Sequence, residues 1–394
     1  MWPLVALFTA GYAAPYLLPT VVGRLATGLG LTQTQAGLTG SALLLASACA
    51  GFALAGRVDR IGPRRTAGAG LLAMVCGYGT AAATAAVPVV LAGAVLGGIG
   101  SGTATAVAAA GIAAHRDPHR ASTLGLLSVS ATAGALYLTL PRLGTGHGLP
   151  FAALAAVAVL AWPGTRRLEA VRGGRPAAGT AGLPRRGAGT ALATALLLWS
   201  LAQNALWGVS GRIGTVQAGL SEVAVGAVFA AALGAGLVGV AAAGALGGRL
   251  GRAVPIGVGT AVIAGCVALS AGAREPVTFA AGEIAWNAMY PVVLSYVIAL
   301  AAALDPRGRW TILAGAASSL GVACGPAAGT ALSGAAGYPV MGAVLGALLL
   351  ATAVPLTVVA RRASRPRVTA FALPRPESHE ARHAYALARP GTQP

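Results

Sequence analysis

Ala55-Gly56-Arg57-Val58-Asp59-Arg60-Ile61-Gly62-Pro63-Arg64-Arg65 is a short, charged interruption between an apolar run over 33–56 and another over 66–86. Each run reaches the ~20 residues a helix needs to cross a hydrocarbon core of ~30 Å. With Gly62-Pro63 in it, the interruption reads as a tight turn between two spans. Moving outward, the same alternation recurs, with apolar runs at 3–22, 87–113, 121–141, 148–163, 190–211, 221–246, 253–272, 276–304, 309–333 and 336–360. The sixth of the twelve runs is short. The first has no basic start and eleven follow it, so it is expected to be a retained helix rather than a cleaved signal.

Composition explains why these runs belong in lipid. Only 9% of the 394 residues are charged, 56% are hydrophobic, and a further 58 are Gly. A soluble domain carries about 25% charged residues, so neither a soluble enzyme nor a disordered chain fits. All 27 basic residues are Arg, giving a net charge of +18; with the Ala and Gly richness this points to a GC-rich bacterial genome. With both termini placed in the cytoplasm, every Arg except Arg24, Arg142, Arg212 and Arg274 falls on the inner side. The basic excess is therefore a topology signal of the inner membrane, drawn to anionic lipid headgroups, and predicts no nucleic-acid partner. Cys49, Cys76, Cys266 and Cys324 lie far apart in apolar runs with no CxxC pair, and read as small core filler. No cofactor and no metal are expected.

Shifted by 188–189 residues, the chain matches itself. Gly23-Arg24 falls on Gly211-Arg212, Leu31-Thr32-Gln33 with Gly37 on Leu220-Ser221-Glu222 with Gly226, and Asp117-Pro118 on Asp305-Pro306. Thr32 and Ser221 are natural N-caps for the second and eighth helices. The organisation follows: a six-helix bundle over 1–163, a cytoplasmic linker over 164–189, a second six-helix bundle over 190–360, and a disordered or membrane-surface tail over 361–394. The fold class is an all-α membrane protein of twelve transmembrane helices in two pseudo-symmetric bundles. Parallel duplicated bundles place a substrate site between them near the midplane, so transport is the expected function.

The opening stretch resembles the signature loop of the major facilitator superfamily, Gly-x-x-x-Asp-Arg-x-Gly-Arg-Arg. Asp59, Arg60, Gly62 and Arg64 match it, while Ala55 replaces the first Gly and Pro63 one Arg. The second-half counterpart, from Gly244 to Arg252, has Gly248 where the Asp would stand. The resemblance implies a conformational latch at Asp59, Arg60, Gly62 and Arg64 that holds the bundles together on the cytoplasmic side when the outer side is open. It also implies that the first, fourth, seventh and tenth helices line the cavity.

On those helices the polar side chains form stripes. The seventh presents Ser200, Gln203, Asn204 and Trp207; the tenth presents Glu283, Trp286, Asn287 and Tyr290; the first adds Phe8, Tyr12 and Tyr16 with kink-prone Pro15 and Pro19. Tyr12, Tyr16, Gln203, Asn204, Trp207, Trp286, Asn287 and Tyr290 are the candidate substrate contacts. An ionisable group inside a span costs roughly 3 kcal/mol to insert, which makes Glu283 the candidate proton carrier, or else a counter-ion for a cationic substrate. The fourth helix is glycine-rich (Gly93, Gly97, Gly98, Gly100, Gly102) and lacks the membrane-embedded Arg that many proton-driven exporters of the superfamily carry there. Gly321, Gly325, Pro326 and Gly329 make a close-packing groove on the eleventh.

The expected function is secondary active transport of a small organic molecule, with proton-coupled efflux of a drug-like compound or secondary metabolite first and uptake of a polar metabolite second. A membrane-embedded enzyme or sensor on the same fold is the alternative of another class. The expected partners are the substrate, a proton and lipid, with the chain a monomer and not an enzyme. Two motif matches carry no chemistry: Gly234-Ala235-Gly236-Leu237-Val238-Gly239 lies inside a span, and His379-Glu380-Ala381-Arg382-His383 lies in the tail.

Overall fold

The computed structural model describes residues 1–168, 183–247, 249–305 and 307–364. The linker core expected at 169–182 and the tail from 365 on, with its His379 and His383, lie outside the described residues. Met1–Ala363 form one compact unit.

Proline and capping residues set the helix ends. Span 1 is bent by 48° between Trp2–Tyr16 and Leu18–Gly28. Pro19 has no N–H to offer the Pro15 carbonyl, so the helical ladder is interrupted there. Span 2, Gln33–Ala55, starts with a reciprocal cap: Gln35 N–H donates to Thr32 Oγ1 (3.2 Å) and Thr32 N–H to Gln35 Oε1 (3.0 Å). A short helix, Val58–Ile61, and Gly62 at φ +98° then turn the chain into span 3, Pro63–Ala83. Span 4 is Val87–Ala113, span 5 Pro118–Leu143 and span 6 Gly148–Thr165. Asp117 caps span 5 through the Arg120 N–H (2.9 Å).

In the second half, span 7 is Arg186–Arg212, continued by a π-helical turn, Ile213–Gln217. Spans 8, 9 and 10 are Glu222–Leu246, Ala253–Gly272 and Pro276–Leu304. Ser221 caps span 8 through the Ala224 N–H (3.2 Å), as Thr32 does in the other half. Asp305 accepts from the Arg307 N–H (3.1 Å) and Arg309 Nε (2.7 Å), and the Arg309 bond holds its carboxyl below the usual aspartate range. No loop separates the last two spans. Arg309–Ser364 is one 56-residue run broken only at Gly337 (φ 78°, ψ 165°). At 1.5 Å per residue it would be roughly 84 Å long, far more than one crossing, so its arms at 309–336 and 338–364 are spans 11 and 12. Counted this way, the spans among the described residues number twelve.

Small residues set how closely the spans approach. Span 4 packs against spans 1, 2 and 3, and span 10 against spans 8 and 9. A Cβ on Gly98 or Gly102 would fall on the carbonyl oxygens of Leu43 and Ser47 in span 2, and one on Gly97 on the Tyr78 ring in span 3. The glycines of span 4 are thus a packing seam, not a cavity wall. Gly321, Gly325 and Gly329 of span 11 likewise abut span 7. That groove builds the second bundle from within rather than forming a sliding face between bundles. Between the halves, span 5 meets span 8, the second arm of span 1 meets span 7, and Gly37 of span 2 meets Thr330 and Pro326 of span 11.

The cysteines correct one expectation. Cys49, Cys76 and Cys324 are exposed and Cys266 is half-buried, so they do not fill the core. Leu160, Val238, Val277 and Ile312 are exposed as well, large apolar groups that lipid would cover. Thr32→Ala should lower stability by about 1 kcal/mol through loss of the span 2 cap, a shift readable by chemical unfolding in detergent.

Candidate functional site

The break in span 1 is where the two halves close on one another. The Pro15 carbonyl, left free by Pro19, accepts from Trp207 Nε1 of span 7 (3.1 Å). The next carbonyl, of Tyr16, accepts from the Tyr137 hydroxyl of span 5. Trp207 lies in an aromatic cluster with Tyr137, Phe229 and Trp286, at ring-centroid distances of 6.4, 5.0 and 5.9 Å. Toward the same end, Arg24 is 3% exposed and its Nη2 donates to the Leu140 carbonyl of span 5 (3.1 Å) and pairs with Glu222 of span 8 (3.3 Å). Gln33 Nε2 reaches the Tyr338 hydroxyl (3.1 Å), and the Ala327 N–H donates to Ser41 Oγ (2.9 Å). The Tyr137 and Leu140 bonds lie within the first half; the links between the halves, Trp207–Pro15, Arg24–Glu222, Gln33–Tyr338 and Ala327–Ser41, all lie toward the Arg24 end of the spans.

The polar stripe of spans 7 and 10 divides in two. Gln203, Trp207, Glu283 and Trp286 are buried and hydrogen-bonded: Trp286 Nε1 donates to Gln203 Oε1 (2.8 Å), and Gln203 Nε2 to the Trp199 carbonyl (3.2 Å). Glu283 has no accessible surface. Its Oε1 accepts from Ser270 Oγ of span 9 (2.7 Å) and Ser210 Oγ of span 7 (2.8 Å). Its Oε2 has no hydrogen-bond partner among the described residues, and the group forms no ion pair among them. The single Ser210 proton has a second acceptor, the Leu206 carbonyl at 3.0 Å.

The other part of the stripe meets open space. Tyr12 is 37% exposed although it sits in mid-span, packed on Phe8 at 4.5 Å. Tyr290 is half-buried and stacks on Trp199 at 5.2 Å. Asn204 and Asn287 are half-buried, and each donates its amide to the carbonyl four residues earlier, Ser200 (2.9 Å) and Glu283 (2.9 Å). That bond leaves each side-chain carbonyl as an acceptor. These partly open side chains of spans 1, 7 and 10 mark a candidate midplane recess, whose aromatic rings and two amide oxygens would suit a ligand with an apolar body and a few donors.

The Asp59 loop is at the other end. Asp59, Arg60 and Arg64 are exposed and take part in no ion pair among the described residues. Sequence reasoning missed Arg24, Tyr137, Glu222, Ser210, Ser270 and Trp199. Ser210 continues the Ser200–Gln203–Trp207 spacing and was open to recognition; Ser270 had no comparable signal.

The family model of the Major Facilitator Superfamily matches residues 3–290. The chain belongs to the major facilitator superfamily. Among solved structures, a D-xylose–proton symporter is similar with a TM-score of 0.73 and 15% identity, over 90% of this chain and 95% of the other. The human organic anion transporter MFSD10 is similar with a TM-score of 0.62 and 17% identity, over 90% and 97%. At these identities the likeness shows the fold alone. No curated protein matches in sequence. The match makes this superfamily member a multi-pass membrane transporter.

Proposed function

We propose that the protein exports a small amphiphilic organic compound across a bacterial inner membrane, exchanging it for protons by alternating access. The observation that carries alternating access is that the links between halves gather at the Arg24 end, while the recess at Tyr12, Tyr290, Asn204 and Asn287 lies behind them. The positive-inside distribution of Arg supports a cytoplasmic Asp59 end and cytoplasmic termini, an orientation in which this state faces inward. Glu283 is the proton site. With no ion pair among the described residues, the carboxyl can bind and release a proton without breaking one, and Ser210 can turn its own proton to Leu206 as the charge changes. Asp59, Arg60, Gly62 and Arg64 would engage the second half in the opposite state. The aromatic walls favour export of a compound with apolar surface, and the protein would act as a monomer. Uptake of a polar solute is the second reading, supported by the two amide oxygens and by the symporter with the same fold.

Proteoliposomes loaded with a pH-sensitive dye test this. Amphiphilic aromatic compounds, ethidium among them, should drive proton flux that protein-free vesicles lack. Flux driven by a sugar such as D-xylose instead would favour uptake, and flux with neither class would count against proton coupling.

A further inference from the structure

The internal duplication leaves a charge unbalanced at the Arg24 end. The Gly-Arg pair that closes span 1 recurs at the end of span 7, and both arginines, Arg24 and Arg212, line one crevice of about 210 Å³. The acid that faces them was not duplicated in kind: Glu222 begins span 8, but the matching position at the start of span 2 is the neutral Gln33. Glu222 pairs with Arg24, while Arg212 has no salt bridge among the described residues. Two guanidinium nitrogens, Arg24 Nη1 and Arg212 Nε, are buried without a hydrogen-bond partner among the described residues. The remaining walls come from Pro19, Tyr137, Pro141, Val225 and Phe229, with Thr20, Thr27 and Thr215. Leaving guanidinium N–H groups buried without acceptors is costly, and one anion accepting from both arginines would offset that cost.

We propose that this crevice binds a monovalent anion, a carboxylate or a halide, held between Arg24 and Arg212. Arg24 belongs to the first half and Arg212 to the second, and Gly211 lies against the Pro19 carbonyl, so the two helices are in contact here. The bound anion therefore bridges the halves and favours the state in which this end is closed. Glu222, the acid of the crevice, opposes it.

The test uses the purified full-length protein in detergent and needs neither a transported substrate nor a proton gradient, so it is independent of the export proposal. Sodium chloride, acetate and benzoate are titrated in separate arms, with thermal stability and Trp fluorescence as readouts; Trp207 touches the crevice walls Tyr137 and Phe229. A saturable rise in Tm is expected. Arg212→Gln should weaken its midpoint by about tenfold or more, Arg212→Lys by less, and Glu222→Gln should tighten it. General salt screening would act on parent and variants alike. Responses to acetate and benzoate but not chloride would assign an organic carboxylate; a chloride response as well would assign a general anion site. No saturable response to any of the three, or the same midpoint in the parent, Arg212→Gln and Glu222→Gln, overturns the proposal. Should Arg212→Gln fail to fold, the tightening in Glu222→Gln still decides.

Discussion

Glu283→Gln is expected to abolish gradient-driven transport in proteoliposomes, a loss of roughly 10²-fold or more, the scale set by removing a positioned proton-transfer group. The substitution is nearly isosteric. The amide oxygen still accepts from Ser210 and Ser270, and the amide nitrogen replaces an oxygen that has no partner among the described residues. The fold and gradient-independent exchange of substrate should therefore persist, separating loss of coupling from loss of structure. Equal gradient-driven rates in parent and variant would remove Glu283 as the proton site. A loss of both activities together with a lowered Tm would make it a structural acid instead.

Gly102→Val should be the most damaging single change to the scaffold. Its Cβ would fall on the Ser47 carbonyl oxygen, a backbone atom that cannot rotate away, and span 2 would have to leave span 4. Overpacking of this kind costs about 1–3 kcal/mol and occasionally more, so a sharp fall in Tm and in monodisperse yield is expected. Gly79→Ala, where a Cβ meets nothing within 4 Å, is the control and should be neutral or slightly stabilising. A Gly102→Val protein as stable as the parent would contradict the close approach of spans 2 and 4.

Most of the fold was legible because the signals that specify it are long or repeated. Apolar runs of crossing length, the Thr32 and Ser221 caps and the Asp117/Asp305 pair each recur between the halves, and the kink at Pro15 and Pro19 follows from a missing N–H. The break between spans 11 and 12, read at 334–335, falls close to Gly337, but the lack of a loop there was not legible, since a glycine inside an apolar run marks packing as often as a break. Nor was the outward placement of Cys49, Cys76 and Cys324. A helix in lipid is apolar on every face, so hydrophobic periodicity cannot tell its core side from its lipid side. The site was half legible. Spans 7 and 10 do carry the polar stripes, but Gln203 and Asn204 are adjacent and point about 100° apart. That difference sends Gln203 into its bundle, onto Trp286, and Asn204 toward the recess. Arg24 and Glu222 were seen as a topology mark and a repeat match; their pairing required the tertiary contact of spans 1, 5 and 8.

The central claim is that the halves rock about the midplane recess, closed here at the Arg24 end. Spin-label distances in a cysteine-free background measure this directly, with one pair at Thr27 and Val223 and a second at Ile61 and Leu313, at the opposite end. Combining Arg24→Gln with Trp207→Phe removes the bonds to Glu222, Leu140 and Pro15. The Thr27–Val223 distance should then lengthen while the Ile61–Leu313 distance shortens. Both distances unchanged, or both growing together, would contradict the account.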